Sequence, residues 1–257
     1  MKVVILCGGR GTRLYEETEF RPKPLVEIGG QPILVHIMGM YACFGHEEFA
    51  LCLGYKGEMI KNFFLHFHTM TSDFSVDLKT GNVSILKPQP RNWRVDLLNT
   101  GRDTGTGGRI LRAAPYLSRS TFMVTYGDGL ADVDLDALLA QHKKAGKVAT
   151  LTGVRESSRF GVIETDAQGL VSRFREKPVL DGLISGGFFV FEPEIFEYLD
   201  DGPLEEAPLE KLATERQLAL FKHEGFFRTM DTYRDYLELN ALHAQGRTPW
   251  IRSVPRQ

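Results

Sequence analysis

The stretch Val3–Leu14, VVILCGGRGTRL, decides the fold. Four apolar residues, Val3–Leu6, run straight into a loop that holds Gly8, Gly9 and Gly11 together with Arg10 and Arg13. An apolar run without polar alternation reads as a buried strand. The glycines let the backbone come close to a ligand, and the arginines mark that ligand as anionic.

Working outward, short apolar runs alternate with amphipathic segments. Strands are expected at Lys2–Leu6, Phe49–Leu53, Arg94–Leu98 and Phe122–Tyr126, and helices at Pro32–Phe44, Gly57–Phe67, Gly108–Leu117 and Leu135–Ala145. This alternation predicts an α/β fold: a doubly wound, mostly parallel sheet with helices on both faces. The second half changes character. Val148–Val154, Gly161–Glu164, Val171–Glu176 and Ile184–Phe191 are strand-like and separated by turn signals, so a more antiparallel region is expected there. Helices return at Pro193–Leu199, Pro208–Thr214 and Thr232–Ala244. Thr71–Trp93 has no clear period and reads as an excursion for partner or oligomer contacts. One domain is expected over 1–257, in three segments: 1–146, 147–231, and a C-terminal helix and tail over 232–257.

The chain has 257 residues, 42% hydrophobic and 25% charged, with a formal net charge of −2. There is no basic excess to bind nucleic acid, and no apolar run long enough to span a membrane or serve as a signal core. A cytoplasmic protein is expected. The three cysteines, Cys7, Cys43 and Cys52, form no CxxC pair, which argues against disulfides or zinc. His66 and His68 gather no further ligands in sequence.

Which anion the loop serves is narrowed by spacing. Gly9-Arg10-Gly11-Thr12-Arg13-Leu14 lacks the third glycine of a dinucleotide loop, and the chain has no GxxxxGK followed by Ser or Thr. Instead the loop is followed by Arg21-Pro22-Lys23-Pro24, where two prolines stiffen the segment around a lysine. Taken alone, the residues fit either a phosphate cradle or a tight turn with solvated charges.

The pairing of GGRGTRL with RPKPLVEIGGQPIL resembles the sugar-1-phosphate nucleotidylyltransferases, and EIGGQPILVHIM is similar to the branch of that family that uses CTP and glucose 1-phosphate. NTGRDTGTGGRI, TYGDGLADVD, FREKP and GFFRTMDTYRD follow in the family's order. The resemblance implies a Rossmann-like nucleotidyltransferase fold and an enzyme that joins CTP and a sugar 1-phosphate with release of pyrophosphate. It also implies Mg2+ as cofactor and a homo-oligomer.

The same resemblance implies roles for particular residues. Arg13 and Lys23 would be catalytic. Leu6, Cys7, Gly8, Gly9, Gly11, Thr12, Arg13, Lys23, Thr104, Arg109, Gly127 and Asp128 would bind the nucleotide. Glu176, Lys177, Ser185, Gly186 and Gly187 would bind the sugar phosphate, and Asp128 and Asp231 the metal. Some positions depart from the pattern. Cys7 stands where the family usually has alanine, and Ser185 where the branch typically has asparagine. Ser157, Ser158 and Arg159 also differ. UTP or dTTP, another sugar, or binding without turnover remain open readings at this point.

Overall fold

The computed structural model describes residues 1–88, 91–117, 119–156, 160–179 and 182–251. Its centre is a seven-stranded sheet built from β1 (Lys2–Cys7), β2 (Glu48–Leu53), β3 (Arg94–Asn99), β4 (Phe122–Tyr126), β5 (Ala149–Val154), β6 (Ile184–Phe191) and β7 (Leu218–His223). The spatial order is β7-β5-β6-β4-β1-β2-β3. β1 pairs in parallel with both β2 and β4, and β2 with β3. β6 runs antiparallel to both of its neighbours, β4 and β5. The expected doubly wound α/β sheet is therefore present, and its antiparallel character lies in the second half of the chain.

The strand order reverses between β1 and β4. Chain order runs one way through β2 and β3 and the other way through β4. At such a switch point the loops leaving the two strands diverge and open a crevice at their carboxyl ends. Leu6 of β1 lies beside Tyr126 of β4. The glycine-rich loop and the Gly127-Asp128 turn therefore leave the sheet side by side.

Both faces of β1 are buried, as its unbroken apolar run requires. Val3, Ile5 and Cys7 pack into one core layer, and Val4 and Leu6 into the other. The period of two along the strand produces this division. The first layer is covered by α1 (Ile33–Ala42), with Ile60 of α2 (Gly57–Leu65) and Leu239 of α6 (Tyr233–Ala244). The second is covered by Ile110 and Ala113 of α3 (Thr106–Ala113) and Leu212 of α5 (Ala207–Thr214). A further helix, α4 (Leu135–Ala145), is capped by Asp134, whose carboxylate accepts from the Ala137 amide at 3.0 Å.

Several expected elements differ. Pro193–Leu199 is a 3₁₀ segment over Pro193–Glu197, too short to lay down an α-helical face. The helix expected over Gly57–Phe67 stops at Leu65, and a short second one covers Phe67–Thr71. α3 starts at Thr106, ahead of the expected Gly108, and ends in a 3₁₀ turn at Ala114–Tyr116 that contains Pro115. The unreadable excursion holds a hairpin of Phe74–Val76 and Val83–Ile85. Gln89, Pro90, Ser157, Ser158 and Arg159 lie outside the described residues, as does the tail from 252 to 257.

In β6, Gly187 takes φ +75, and a Cβ there would fall 2.3 Å from Cδ2 of Tyr126. This kink lets β6 pass across the aromatic ring at the end of β4. Gly187→Ala combines a disfavoured backbone with a clash, so it should lower the unfolding free energy by about 2 kcal/mol. Urea denaturation followed by circular dichroism measures this, and an unchanged midpoint would contradict the account.

Candidate active site

The crevice at the switch point is a cleft of about 620 Å³. Of the residues singled out from sequence, Leu6, Cys7, Gly8, Gly9, Gly11, Thr12 and Arg13 line it from the loop after β1. Gly127 and Asp128 line it from the turn after β4, and Thr104 and Arg109 from around the start of α3. Lys23, Ser185, Gly186 and Asp231 complete the set from three further places in the chain.

Lys23 sits at the meeting point. Its Nζ donates to Asp128 Oδ2 at 2.7 Å and to Asp231 Oδ1 at 2.6 Å. Arg13 reaches the other oxygen of Asp231 at 3.2 Å. Burial works against the charge on Lys23, but the adjacent Asp128 and Asp231 carboxylates outweigh it and hold its pKa above the ordinary value. The ammonium is therefore fully charged at neutral pH. The stiff segment predicted from the two prolines is a 3₁₀ turn over Lys23–Leu25, anchored by buried Pro24 and Leu25.

The two aspartates are brought together by a small antiparallel ladder of Gly129–Ala131 with Phe227–Thr229. The Met230 amide adds a bond to the Asp128 carbonyl at 2.9 Å. Asp231 is then fixed by the start of α6. The Asp235 carboxylate accepts from the amides of Asp231 at 3.1 Å and Thr232 at 2.8 Å. Thr232 in turn caps the helix, completing a capping box. Asp128 thus lies in a turn and Asp231 just ahead of a helix, and both side chains aim at a shared cation, the Lys23 ammonium.

The loop itself is held from below. The Thr18 hydroxyl donates to the Gly11 carbonyl at 3.0 Å and the Leu14 carbonyl at 2.9 Å. Arg109 lies under the loop, 4% exposed. Its guanidinium donates to the carbonyls of Leu53, Gly101, Gly8 and Arg102 and to the Thr100 hydroxyl, at 2.7 to 3.2 Å. Gly8 is required by this packing, since a Cβ there would lie 2.0 Å from Arg109 Cζ. Arg109 also lines the cleft, and its two terminal nitrogens are engaged by these carbonyls and the Thr100 hydroxyl, so it shapes the site's floor. Cys7 is 1% exposed, and burial pushes its thiol well above the ordinary range, which removes it as a nucleophile.

Three of the expected sugar-phosphate residues are not in the cleft wall. Glu176 and Lys177 follow the exposed hairpin of Val162–Thr165 and Val171–Arg175, which pairs only with itself. Lys177 lines an adjoining cavity of about 370 Å³ with Arg155 and Arg228, and Phe227 and Thr229 border both spaces. Gly187 serves the β6 kink. Conversely, sequence reading missed Thr106, Tyr126 and Glu205, which line the cleft.

Asp128 and Asp231 have the chemistry of a Mg2+ site. They are hard oxygen donors whose carboxylates already converge on one cationic nitrogen. Among the described residues no group of three or more metal-ligating side chains gathers, so the remaining ligands would come from phosphates and water. This is the partial, substrate-completed coordination that Mg2+ favours.

Residues 2–229 match the family model described as nucleotidyl transferase, and the chain belongs to that family. It is 47% identical over 253 residues to a Bacillus subtilis (strain 168) protein named "Probable glucose-1-phosphate cytidylyltransferase", covering 97% of this chain and 99% of that one. It is 44% identical over 254 residues to the glucose-1-phosphate cytidylyltransferase of Salmonella typhi, covering 97% and 98%. Among solved structures, HddC from Yersinia pseudotuberculosis is similar with a TM-score of 0.68 and 25% identity, covering 94% of this chain and 99% of that chain.

The inward aim of Arg109 is open to test. Removing it leaves several buried carbonyls unpaired, so Arg109→Ala should destabilise the fold by about 3 kcal/mol. Urea unfolding checks this. Unchanged stability with only a raised KM for the nucleotide would make Arg109 a ligand contact instead.

Proposed function

We propose that this protein catalyses the transfer of a cytidylyl group from CTP to α-D-glucose 1-phosphate, giving CDP-glucose and pyrophosphate. The observation that carries the reading is the convergence of Arg13, Lys23, Asp128 and Asp231 beside a glycine-rich loop at the switch point. It occurs in a chain 44–47% identical, over nearly its full length, to glucose-1-phosphate cytidylyltransferases.

The chemistry is an attack by a phosphate oxygen of the sugar phosphate on the α-phosphorus of the nucleotide. A P–O bond to the β-phosphate breaks, and pyrophosphate leaves with the electron pair. The nucleophile is already an anion, so no side-chain base is needed. The site has to align two polyanions and neutralise the charge that builds on the leaving group. The loop from Gly8 to Thr12 supplies backbone N–H groups for the phosphates. Lys23 supplies a point charge, and Arg13 a guanidinium that can span two oxygens. Asp128 and Asp231 would hold Mg2+, which when bound neutralises phosphate charge and fixes the α-phosphate orientation. Ser185 and Gly186 would face the hexose, with Lys177 approaching its phosphate from the adjoining cavity. Leu6 and Thr104 border the nucleotide end.

Among the described residues no helix is long and apolar enough to cross a membrane. The hairpin carrying exposed Phe74, Leu78 and Val83 is the surface we assign to homo-oligomer contacts.

The test is pyrophosphate release with Mg2+ across CTP, UTP, dTTP, ATP and GTP against several hexose 1-phosphates, with products identified by mass spectrometry. CTP with glucose 1-phosphate should dominate. Dominance by another nucleotide or another sugar phosphate would overturn the substrate assignment, and release from no pair would favour a binding role.

A further inference from the structure

One acidic side chain in the cleft is not called for by phosphate chemistry. Glu205 lies on the loop before α5 and lines the same cleft as the phosphate-facing loop. One of its carboxylate oxygens accepts from the Tyr126 phenol, and the other accepts from the Thr106 hydroxyl at 2.5 Å. The Thr106 oxygen also accepts from the Leu204 amide at 2.8 Å, which fastens the Glu205 loop to the start of α3. Among the described residues these two hydroxyls are its side-chain partners, and no cation pairs with it.

Both hydroxyls are themselves immobilised. Tyr126 packs edge-on against Phe189, with ring centroids 6.0 Å apart, and lies under the kink at Gly187. Burial, and then the neighbouring Glu205 carboxylate, raise the Tyr126 pKa, so the phenol stays a donor. Thr106 is the first residue of α3.

A carboxylate accepts at about four lone-pair sites, and two donors leave acceptor capacity directed at the cleft. Its charge repels phosphates, so it faces an uncharged part of the substrates. The donors that both substrates carry there are sugar hydroxyls. Tyr126 connects Glu205 to the Ser185–Gly187 segment on the hexose side, while Thr106 connects it to Thr104 and Gly105 on the nucleotide side. We propose that Glu205 is a specificity-determining residue that accepts a hydrogen bond from a sugar hydroxyl of the substrate pair, ribose or hexose, with Tyr126 and Thr106 as its positioning residues.

This inference deepens the proposed function and rests on it. The failure of that function would appear separately, as lack of CDP-glucose formation by the unsubstituted enzyme. The pair that this enzyme does turn over is then used for the test. Glu205→Ala and the shape-preserving Glu205→Gln are compared with the unsubstituted chain, on the natural pair and on analogues lacking one ribose or one hexose hydroxyl. Circular dichroism verifies folding, and Glu205→Gln carries the comparison if Glu205→Ala does not fold. A hydrogen bond to a charged group corresponds to a loss of about ten- to hundred-fold in kcat/KM when one hydroxyl is deleted from the substrate. That loss should appear in the unsubstituted enzyme for one analogue, vanish in Glu205→Ala and shrink in Glu205→Gln. The analogue that shows it identifies ribose or hexose as the source. Equal penalties in all three proteins for every analogue, or a penalty that follows the base instead, would overturn the proposal.

Discussion

Two carboxylates sharing one ammonium group organise this site. Asp128 and Asp231 come from distant parts of the chain, and each would repel the other without a cation between them. Lys23 supplies that cation at 2.7 and 2.6 Å. The interaction ties together the turn after β4, the start of α6 and the rigid Lys23–Leu25 turn. It also keeps the two aspartates aimed at one point, as the proposed Mg2+ site requires.

The arrangement explains why the scaffold has its particular irregularities. The carbonyls of the loop after β1 find their partners within the protein. Arg109 and Thr18 provide them from beneath. The ladder of Gly129–Ala131 with Phe227–Thr229 lies outside the main sheet and holds the two aspartates in register. The Gly187 kink allows a wall of small residues to pass the Tyr126 ring. The cleft gathers paired charges at Arg13, Lys23, Asp128 and Asp231, and carries Glu205 among hydroxyls elsewhere.

Much of this was legible in the sequence because it rests on local patterns. The unbroken apolar run of β1 predicted a strand buried on both faces. The loop glycines and the prolines around Lys23 predicted rigidity and charge at its end. Other features depend on long-range pairing. Leu218–His223, LALFKH, has too mixed a pattern to read as a strand; it is partly buried at the sheet's edge beside β5. Arg109 reads by resemblance as a nucleotide contact, and the fold shows its guanidinium turned beneath Gly8. Glu205 sits in an acidic pair of residues, Glu205-Glu206, with nothing in sequence to separate a cleft residue from a solvated one. The resemblance implies that Glu176 and Lys177 bind the sugar phosphate; neither lines the main cleft, and Lys177 lines the adjoining cavity.

The most direct test of the shared-cation account is Mn2+ binding followed by electron paramagnetic resonance, with CTP present and no sugar phosphate. The account predicts one tightly held ion in the unsubstituted chain and at least a tenfold weaker affinity in both Asp128→Asn and Asp231→Asn, with CTP itself still bound. Undiminished Mn2+ affinity in either variant would contradict it and remove that aspartate from the metal site.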